Sequence, residues 1–353
     1  MPERGTGANP LRTQPMTAAA AIESWLYPSD AGLYCEPGGF YIDPHRPVDR
    51  AVITHGHSDH ARSGHGSVLA TAETIAIMKV RYGDNCAGSF QAASLGTRID
   101  INCVSVRLVP AGHILGSAQV VLEWAGKRAV ISGDYKRAHD PTCQPFELVE
   151  CDVFVTEATF ALPLFRHEPA AGEVQKLLHS MAAEPTRTHL IGAYGLGKCQ
   201  RMIKVIRQAG YDMPIYLHGA VIELTKLYQS LGIDLGDVRP VAGEDPKAMV
   251  GGIVMCPPSS LDDRWSRRFN DPVTAFASGW MRVRGRARQR GVELPLVVSD
   301  HVDWPELIDT VVATNAEEIW VTHGRDDALV HYLATQGRKA RALALVGRDE
   351  EAE

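Results

Sequence analysis

The sequence predicts an α/β fold with a second α/β unit inserted into it. Three observations carry that prediction: short β-branched runs that end in polar side chains, a middle stretch that alternates helix and strand patterns, and ligand-type residues on both sides of that stretch. At 353 residues the chain can bury a substantial core, and its length suits one large domain or two interleaved ones.

Residues 1–17 hold Pro, Gly, Thr and Arg without an apolar core; this is neither a secretory signal nor an anchor and reads as a disordered tail. The runs Phe40-Tyr41-Ile42-Asp43 and Ala51-Val52-Ile53-Thr54-His55 read as buried strands closed by polar residues. Between Gln119 and Val130 two apolar runs flank Trp124-Ala125-Gly126-Lys127, which reads as a β-hairpin. Its second strand continues through Ala129-Val130-Ile131 to Ser132-Gly133-Asp134, and Val153-Phe154-Val155-Thr156-Glu157 repeats the style. The pattern then changes to a helix at 170–183, a strand at 189–194, a helix at 198–209, a strand at 215–218 and a helix at 221–231. Strand-like runs return at Leu296-Val297-Val298-Ser299-Asp300-His301 and Ile319-Trp320-Val321-Thr322-His323. The outer domain is therefore expected at 18–168 and 296–346, with the insertion at 169–295. A strand ending at a sheet edge fixes a side chain while leaving it open to a cleft, and active sites are commonly built that way.

The net charge of −6 argues against a uniformly basic surface, although a catalytic cleft needs only a local positive field. Arg282, Arg284, Arg286, Arg288 and Arg290 alternate along one segment; if extended, it would array five guanidiniums on one face, and a solvated loop is the equal alternative. The seven cysteines are scattered and form no CxxC pair, as expected of reduced thiols in a cytoplasmic protein. No run approaches the about 20 apolar residues that cross a bilayer, so no membrane partner is expected.

The sharpest local signal is His55-Gly56-His57-Ser58-Asp59-His60. Two histidines at spacing two face one way on an extended segment and can share a metal, while Asp59 and His60 can reach a second ion from the following turn. Zinc takes about four ligands, so two ions need donors from elsewhere. His113, in a glycine-flanked turn, and the strand-ending Asp134 are placed to supply them, with Asp134 suited to bridge. A lone histidine is more often a surface or core residue than a ligand; four ligand-type side chains in six residues are a different matter.

This motif, with His113 and Asp134, resembles the metallo-β-lactamase superfamily, and Asp43 in Tyr41-Ile42-Asp43-Pro44 matches the early aspartate that supports the metal loop. The resemblance implies an αββα four-layer sandwich with the metals at one edge of its two sheets. Glu157 in Val155-Thr156-Glu157-Ala158, His301 in Ser299-Asp300-His301-Val302-Asp303 and His323 in Val321-Thr322-His323-Gly324 are similar to the three further motifs of the β-CASP branch. That branch consists of nucleases acting on DNA or RNA with an inserted α/β domain, so the likeness covers about residues 20–345. It implies that His55, His57 and His113 hold one ion, that Asp59, His60 and His323 hold a second, and that Asp134 bridges. His301 would contact the scissile phosphate or protonate the leaving oxygen, oriented by Glu157, with Asp59 accepting the remaining proton; alternatively His301 is a ligand of the second ion. Two divalent ions, zinc first and manganese, iron or nickel as alternatives, would lower the pKa of a shared water and clamp a phosphodiester oxygen.

Within the insertion, Ala193-Tyr194-Gly195-Leu196-Gly197-Lys198 ends a strand and begins a helix, a place that suits phosphate without being the longer Walker A pattern. Alone it reads better as a bland turn. It is similar to the tyrosine-to-glycine-lysine stretch of DNA cross-link repair nucleases, as Ala277-Ser278-Gly279-Trp280 is to their threonine-glycine-tryptophan stretch. That likeness implies that Tyr194, Lys198, Ser278 and Gly279 hold a terminal 5′-phosphate, with Ser259 and Ser260 as weaker candidates. Trp280, Arg282 and Arg284 would line a nucleic-acid groove, with a buried tryptophan as the plainer reading; Trp25, Trp124 and Trp320 are assigned to the core. The whole set resembles the bacterial ligase-associated DNA exonucleases, which implies trimming of single-stranded or duplex DNA ends from the 5′ side, linked with an ATP-dependent DNA ligase and a helicase. His323 departs from the eukaryotic DNA branch, which carries valine there. An RNA nuclease of the 3′-end-processing or ribonuclease J type is therefore the alternative.

Overall fold

The computed structural model describes residues 21–345, apart from the side chain of His323; the tail expected at 1–17 lies outside the described residues. The first sheet has six strands in spatial order β1 (Leu26–Ser29), β2 (Gly32–Cys35), β3 (Phe40–Ile42), β4 (Arg50–Val52), β5 (Ser67–Ala70) and β6 (Phe90–Ala92). It starts antiparallel and runs parallel from β3 onward, with α1 (Ala72–Tyr82) crossing between β5 and β6. The second sheet opens with an antiparallel meander of β7 (Arg98–Ile101), β8 (Val104–Pro110), β9 (Ala118–Trp124) and β10 (Lys127–Ile131), and β11 (Val153–Ala158) then pairs parallel to β10. The expected hairpin pairs Trp124 with Lys127. Ala125 and Gly126, at φ +49° and +77°, make its two-residue turn, the primed type whose twist matches the strands it joins.

The chain then leaves this sheet. It builds α2 (Ala170–Ala183), β12 (His189–Gly192), α3 (Lys198–Gln208), β13 (Ile215–Leu217), α4 (Gly219–Ser230), β14 (Val238–Pro240), β15 (Ile253–Cys256), β16 (Val273–Ala277), α5 (Arg284–Arg290) and β17 (Leu294–Leu296). These strands form a third, all-parallel sheet ordered β14-β13-β15-β12-β16-β17. Through α6 (Trp304–Ala313), β18 (Glu318–Gly324), α7 (Asp326–Thr335) and β19 (Lys339–Ala342) the chain returns, adding β18 and β19 in parallel beside β11.

Strand alternation explains the layers, because successive side chains point to opposite faces. Val120, Ile131 and Val155 of the second sheet meet Leu33, Phe40 and Val52 of the first, with Trp25 from the turn before β1, in one apolar layer. Their neighbours Val121, Val130 and Phe154 turn outward onto Leu307, Val311, Leu329 and Leu333 of α6 and α7. On the far side, Ile75 and Met78 of α1 cover Ile53 and Val68. The result is the four-layer αββα order. The third sheet obeys the same rule: Ile191, Ile215, Ile253 and Ala275 cluster with the apolar residues of α2 to α4, while Leu190, Tyr216, Val254 and Phe276 belong to the opposite cluster.

Two expected elements differ. The run at 296–301 is not a strand, since β17 ends at Leu296 and the Val297 amide donates to Glu173 Oε2 at 3.1 Å instead of extending a ladder. His301 is therefore delivered by an irregular loop. Residues 282–290 are not extended either, because a short 3-10 turn at Gly279–Arg282 leads into α5. On a helix residues two apart stand about 200° apart around the axis, so the arginines of α5 divide between two faces, Arg284 with Arg288 on one and Arg286 with Arg290 on the other. No helix among the described residues is long and apolar enough to cross a membrane, and the seven cysteines are free thiols.

Candidate metal centre

The ligand-type residues converge where β4, β8 and β10 end. The segment after β4 carries His55, His57, Asp59 and His60; the turn after β8 carries His113; the segment after β10 carries Asp134. Gly112 makes the second of these turns possible: it sits at φ +75°, and a Cβ there would collide with the Lys136 carbonyl oxygen.

Asp134 is the centre of the arrangement. Its Oδ2 lies 3.3 Å from His55 Nε2 and 3.7 Å from His113 Nε2, and its Oδ1 lies 3.4 Å from His60 Nε2. Asp59 Oδ2 is 3.3 Å from His60 Nε2, and His57 Nδ1 is 3.0 Å from His113 Nε2. Donors on a tetrahedral ion with bonds near 2.0–2.1 Å stand about 3.3 Å apart, so these spacings fit ions. The donors fall into two groups that share Asp134, one with His55, His57 and His113 and one with Asp59 and His60, each within 4.8 Å.

The ring nitrogens that face away from the centre decide which tautomer each imidazole adopts. Asp43 Oδ2 lies 2.7 Å from His60 Nδ1 while its two oxygens accept Thr54 N and Thr54 Oγ1 at 2.8 and 2.6 Å. His57 Nε2 is 3.3 Å from the Leu196 carbonyl, and His113 Nδ1 is 2.9 Å from the Asp300 carbonyl. A carbonyl or carboxylate on one nitrogen holds its proton and leaves the other lone pair for a cation. Burial pushes His55 down to about 4, with His60 adding to the effect, and burial also depresses His57 and His113. For Asp59 burial acts upward but His60 outweighs it, holding the carboxyl below the usual range. Neutral imidazoles at His55, His57 and His113 beside an ionised Asp59 are the donor state divalent ions require. Asp59 Oδ1, buried and without a hydrogen-bond partner among the described residues, fits the same reading.

His301 stands at the rim of this cluster, its ring 4.7 Å from that of His113. Its Nδ1 is 2.8 Å from Glu157 Oε2, and Glu157 is itself fixed by Tyr135 N and Thr159 Oγ1 at 2.9 and 2.6 Å. Asp134, Glu157 and His301 also present donor atoms within 4.8 Å of one another. His323 lies in β18, and its side chain falls outside the described residues.

The residues expected to grip phosphate gather at one end of the third sheet, since β12 and β16 are parallel neighbours that lead into Tyr194 and Ser278. Lys198 is fully buried, its Nζ 3.7 Å from Asp300 Oδ2 and 5.1 Å from the Tyr194 ring centre. Ser278 and Gly279 are buried too, and Ser278 Oγ accepts the Trp280 N–H at 3.2 Å. Trp280 is half-buried, with Arg286 over its ring at 3.8 Å and Phe160 at 4.9 Å; Arg282 and Arg284 are exposed. Sequence reasoning missed Thr54, Asp300, Arg201 and Lys136, whose Nζ donates to the His301 carbonyl at 3.3 Å. Asp300 adjoins His301 and could have been noticed; nothing local marks Arg201.

No family model matches the chain. It is similar to a probable DNA ligase of Opitutus terrae, 28% identical over 333 residues, or 93% of this chain and 32% of that protein. It is also similar to an RNase J-like protein of Methanocaldococcus jannaschii, 25% identical over 57% of this chain and 54% of that one. Cleavage and polyadenylation specificity factor subunit 3-I of Arabidopsis thaliana is 24% identical over 70% of this chain and 43% of its own length. The chain thus spans about a third to a half of the length of these curated relatives. An aspartate common to two donor groups, in an αββα frame interrupted by a parallel sheet, together with the likeness to these relatives, supports the β-CASP branch of the metallo-β-lactamase superfamily.

Proposed function

We propose that the protein is a metal-dependent nuclease, and specifically a DNA exonuclease that hydrolyses phosphodiester bonds from a 5′, phosphorylated end. The observation that carries the reading is the pairing of the Asp134-centred donor set with His301, whose imidazole is held by Glu157 at the rim of that set. In this reading His55, His57, His113 and Asp134 would hold one divalent ion and Asp59, His60, His323 and Asp134 the other, with zinc favoured by the donor types. Ions held there would supply an activated water and charge compensation for the phosphate. Asp59 accepts a proton, and His301 delivers one to the departing 3′ oxygen, a task suited to an imidazole in contact with a carboxylate. Asp43 keeps His60 in its ligating tautomer.

The insertion, taken as residues 169–295 between outer segments 18–168 and 296–346, would seat the nucleic acid. Tyr194, Ser278 and Gly279 stand at the C-terminal edge of a parallel sheet where the chain order reverses, the usual place for a ligand in open α/β sheets. Lys198 contributes positive field from within, and Arg282 and Arg284 contribute it from the surface. A DNA substrate and a working link to a DNA ligase are favoured by the likeness to a probable DNA ligase along nearly the whole chain; ATP dependence of that ligase, a helicase and a cytoplasmic setting belong to the same reading. RNA hydrolysis is the second reading, favoured by the RNase J-like and cleavage-factor relatives. Matched DNA and RNA oligonucleotides, each with and without a 5′-phosphate, test both. Faster loss of 5′-phosphorylated DNA with release of short products supports the first reading, and preferential RNA cleavage rejects it.

A further inference from the structure

We infer that Arg201 is a positioning residue of the metal centre, through which the inserted unit holds His113 and His301 in place. The inference rests on the metal-hydrolase reading above and adds to it a coupling between the two parts of the chain.

Arg201 lies in the first turns of α3 and is 5% exposed. Its Nη1 donates to the Ser299 carbonyl and stands 3.3 Å from Asp300 Oδ1, while its Nε stands 3.5 Å from Asp140 Oδ2. Both loop residues it grips lead to the centre. The Asp300 carbonyl is the partner of His113 Nδ1 at 2.9 Å. Ser299 Oγ accepts the His301 N–H at 3.0 Å and donates to the His301 carbonyl at 3.1 Å. From the same helix Lys198 approaches the other Asp300 oxygen at 3.7 Å, and the turn before it places the Leu196 carbonyl 3.3 Å from His57 Nε2. His57, His113 and His301 are thus each fixed by a group that α3 or its leading turn carries or grips. A crevice of about 390 Å³ opens at this junction, lined by Arg201, Val205, Ser299 and Asp303 among others.

Stability does not by itself call for an arginine here. A buried guanidinium costs several kcal/mol to desolvate and is often replaceable by apolar side chains of similar volume. What an apolar residue cannot do is bind a carbonyl and two carboxylates in one rigid fork. That fork sets the direction of the Asp300 carbonyl. If the carbonyl swings away, His113 Nδ1 loses its partner and the ring is released to rotate or change tautomer; supporting contacts of this kind are worth roughly 10–100-fold in metal affinity.

The test compares Arg201→Lys with Val205→Ala in the full chain, Val205 being an apolar core residue of the same helix. Zinc affinity is read by competition with a chromophoric chelator, alongside the unfolding midpoint and kcat and KM on the nucleic acid cleaved by the wild type. Arg201→Lys keeps the charge and loses the fork; it should lower zinc affinity roughly 10–100-fold and reduce kcat with KM little changed. Val205→Ala should lower the unfolding midpoint and leave zinc affinity at the wild-type value. Equal zinc affinity in Arg201→Lys and wild type overturns the inference, as does an equal loss in Val205→Ala. Asp140→Asn slackens the guanidinium from its far side and serves if the lysine variant does not fold; an unchanged zinc affinity there also overturns the inference. Wild-type protein that takes up no zinc or manganese rejects instead the metal reading on which it stands.

Discussion

Replacing Asp43 by Asn isolates the support given to the metal loop. Asp43 sits at φ +43°, a conformation that Asn adopts readily, so the backbone is not the variable. One carboxylate oxygen accepts the Thr54 N–H at 2.8 Å, and the amide oxygen of Asn can do the same. The other oxygen faces Thr54 Oγ1 at 2.6 Å and His60 Nδ1 at 2.7 Å, and there Asn presents an NH₂ toward groups that were donating. To relieve that clash His60 must shift its proton to Nε2, the nitrogen 3.4 Å from Asp134 Oδ1, and so give up the lone pair offered to a cation. The loss of a buried, charge-assisted contact costs about 2 kcal/mol in the metal-free fold. The metal term is a further roughly 10–100-fold in affinity, or about 1.4–2.8 kcal/mol. Zinc competition should therefore show one weakened equivalent of two, and denaturant unfolding of the chelated protein a lower midpoint. Two equivalents bound at wild-type affinity, with only the midpoint shifted, would show that Asp43 braces the loop and does not set the tautomer of His60.

Glu157→Gln removes the carboxylate from His301 Nδ1 and should lower kcat by about 10²–10³ with KM nearly unchanged; an equal rise in KM would point to substrate binding instead. Chelation should abolish turnover and lower the thermal midpoint, with both restored by zinc or manganese, and a midpoint indifferent to metal would count against ions held by the folded state. The chelated protein should also lose stability as pH falls. His55 titrates at about 4 when folded and about 6.5 when unfolded, so between those values the unfolded chain binds more protons and stability rises with pH. His55 alone then accounts for on the order of 3 kcal/mol, fully present above about pH 6.5 and lost toward pH 4, and a flat urea midpoint across that window would refute the burial argument. Ala125→Asn, at the φ +49° position of the exposed hairpin turn, should stabilise by about 0.5–1 kcal/mol, and an unchanged or lower urea midpoint would contradict the turn assignment.

Much of the frame was legible in the sequence because its signals are local. The β-branched runs at Ala129, Val153 and Ile319 formed strands, and the helix expected at Ala170–Ala183 begins and ends where the pattern does. The clustering of His55, His57, Asp59, His60, His113 and Asp134 was legible for the same reason, since each sits next to a strand end or glycine turn that the sequence marks. Local patterns failed where tertiary partners decide. The Val297-Val298 run has strand propensity, yet the Glu173 carboxylate takes the Val297 amide, and the chain must turn there to carry His301 back to Glu157. The alternating arginines follow a strand period, yet the segment that begins beside Ser278, whose hydroxyl caps the Trp280 amide, continues as a helix.

The buried ion pairs failed for a deeper reason. In sequence, Lys198 stands at a helix N-terminus like a phosphate ligand, and only the fold shows Asp300 against its ammonium. Ser299 and Asp300 stand 98 and 99 residues from the Arg201 that grips them, and no spacing rule spans such a gap. Those contacts also cross from the insertion to the loop that carries His301. The part of the site most visible in sequence is the donor set, which any member of the superfamily needs in order to hold ions. The part least visible is the wiring that ties this donor set to this insertion, and through it a shift of α3 would reach His113 and His301 without touching a ligand.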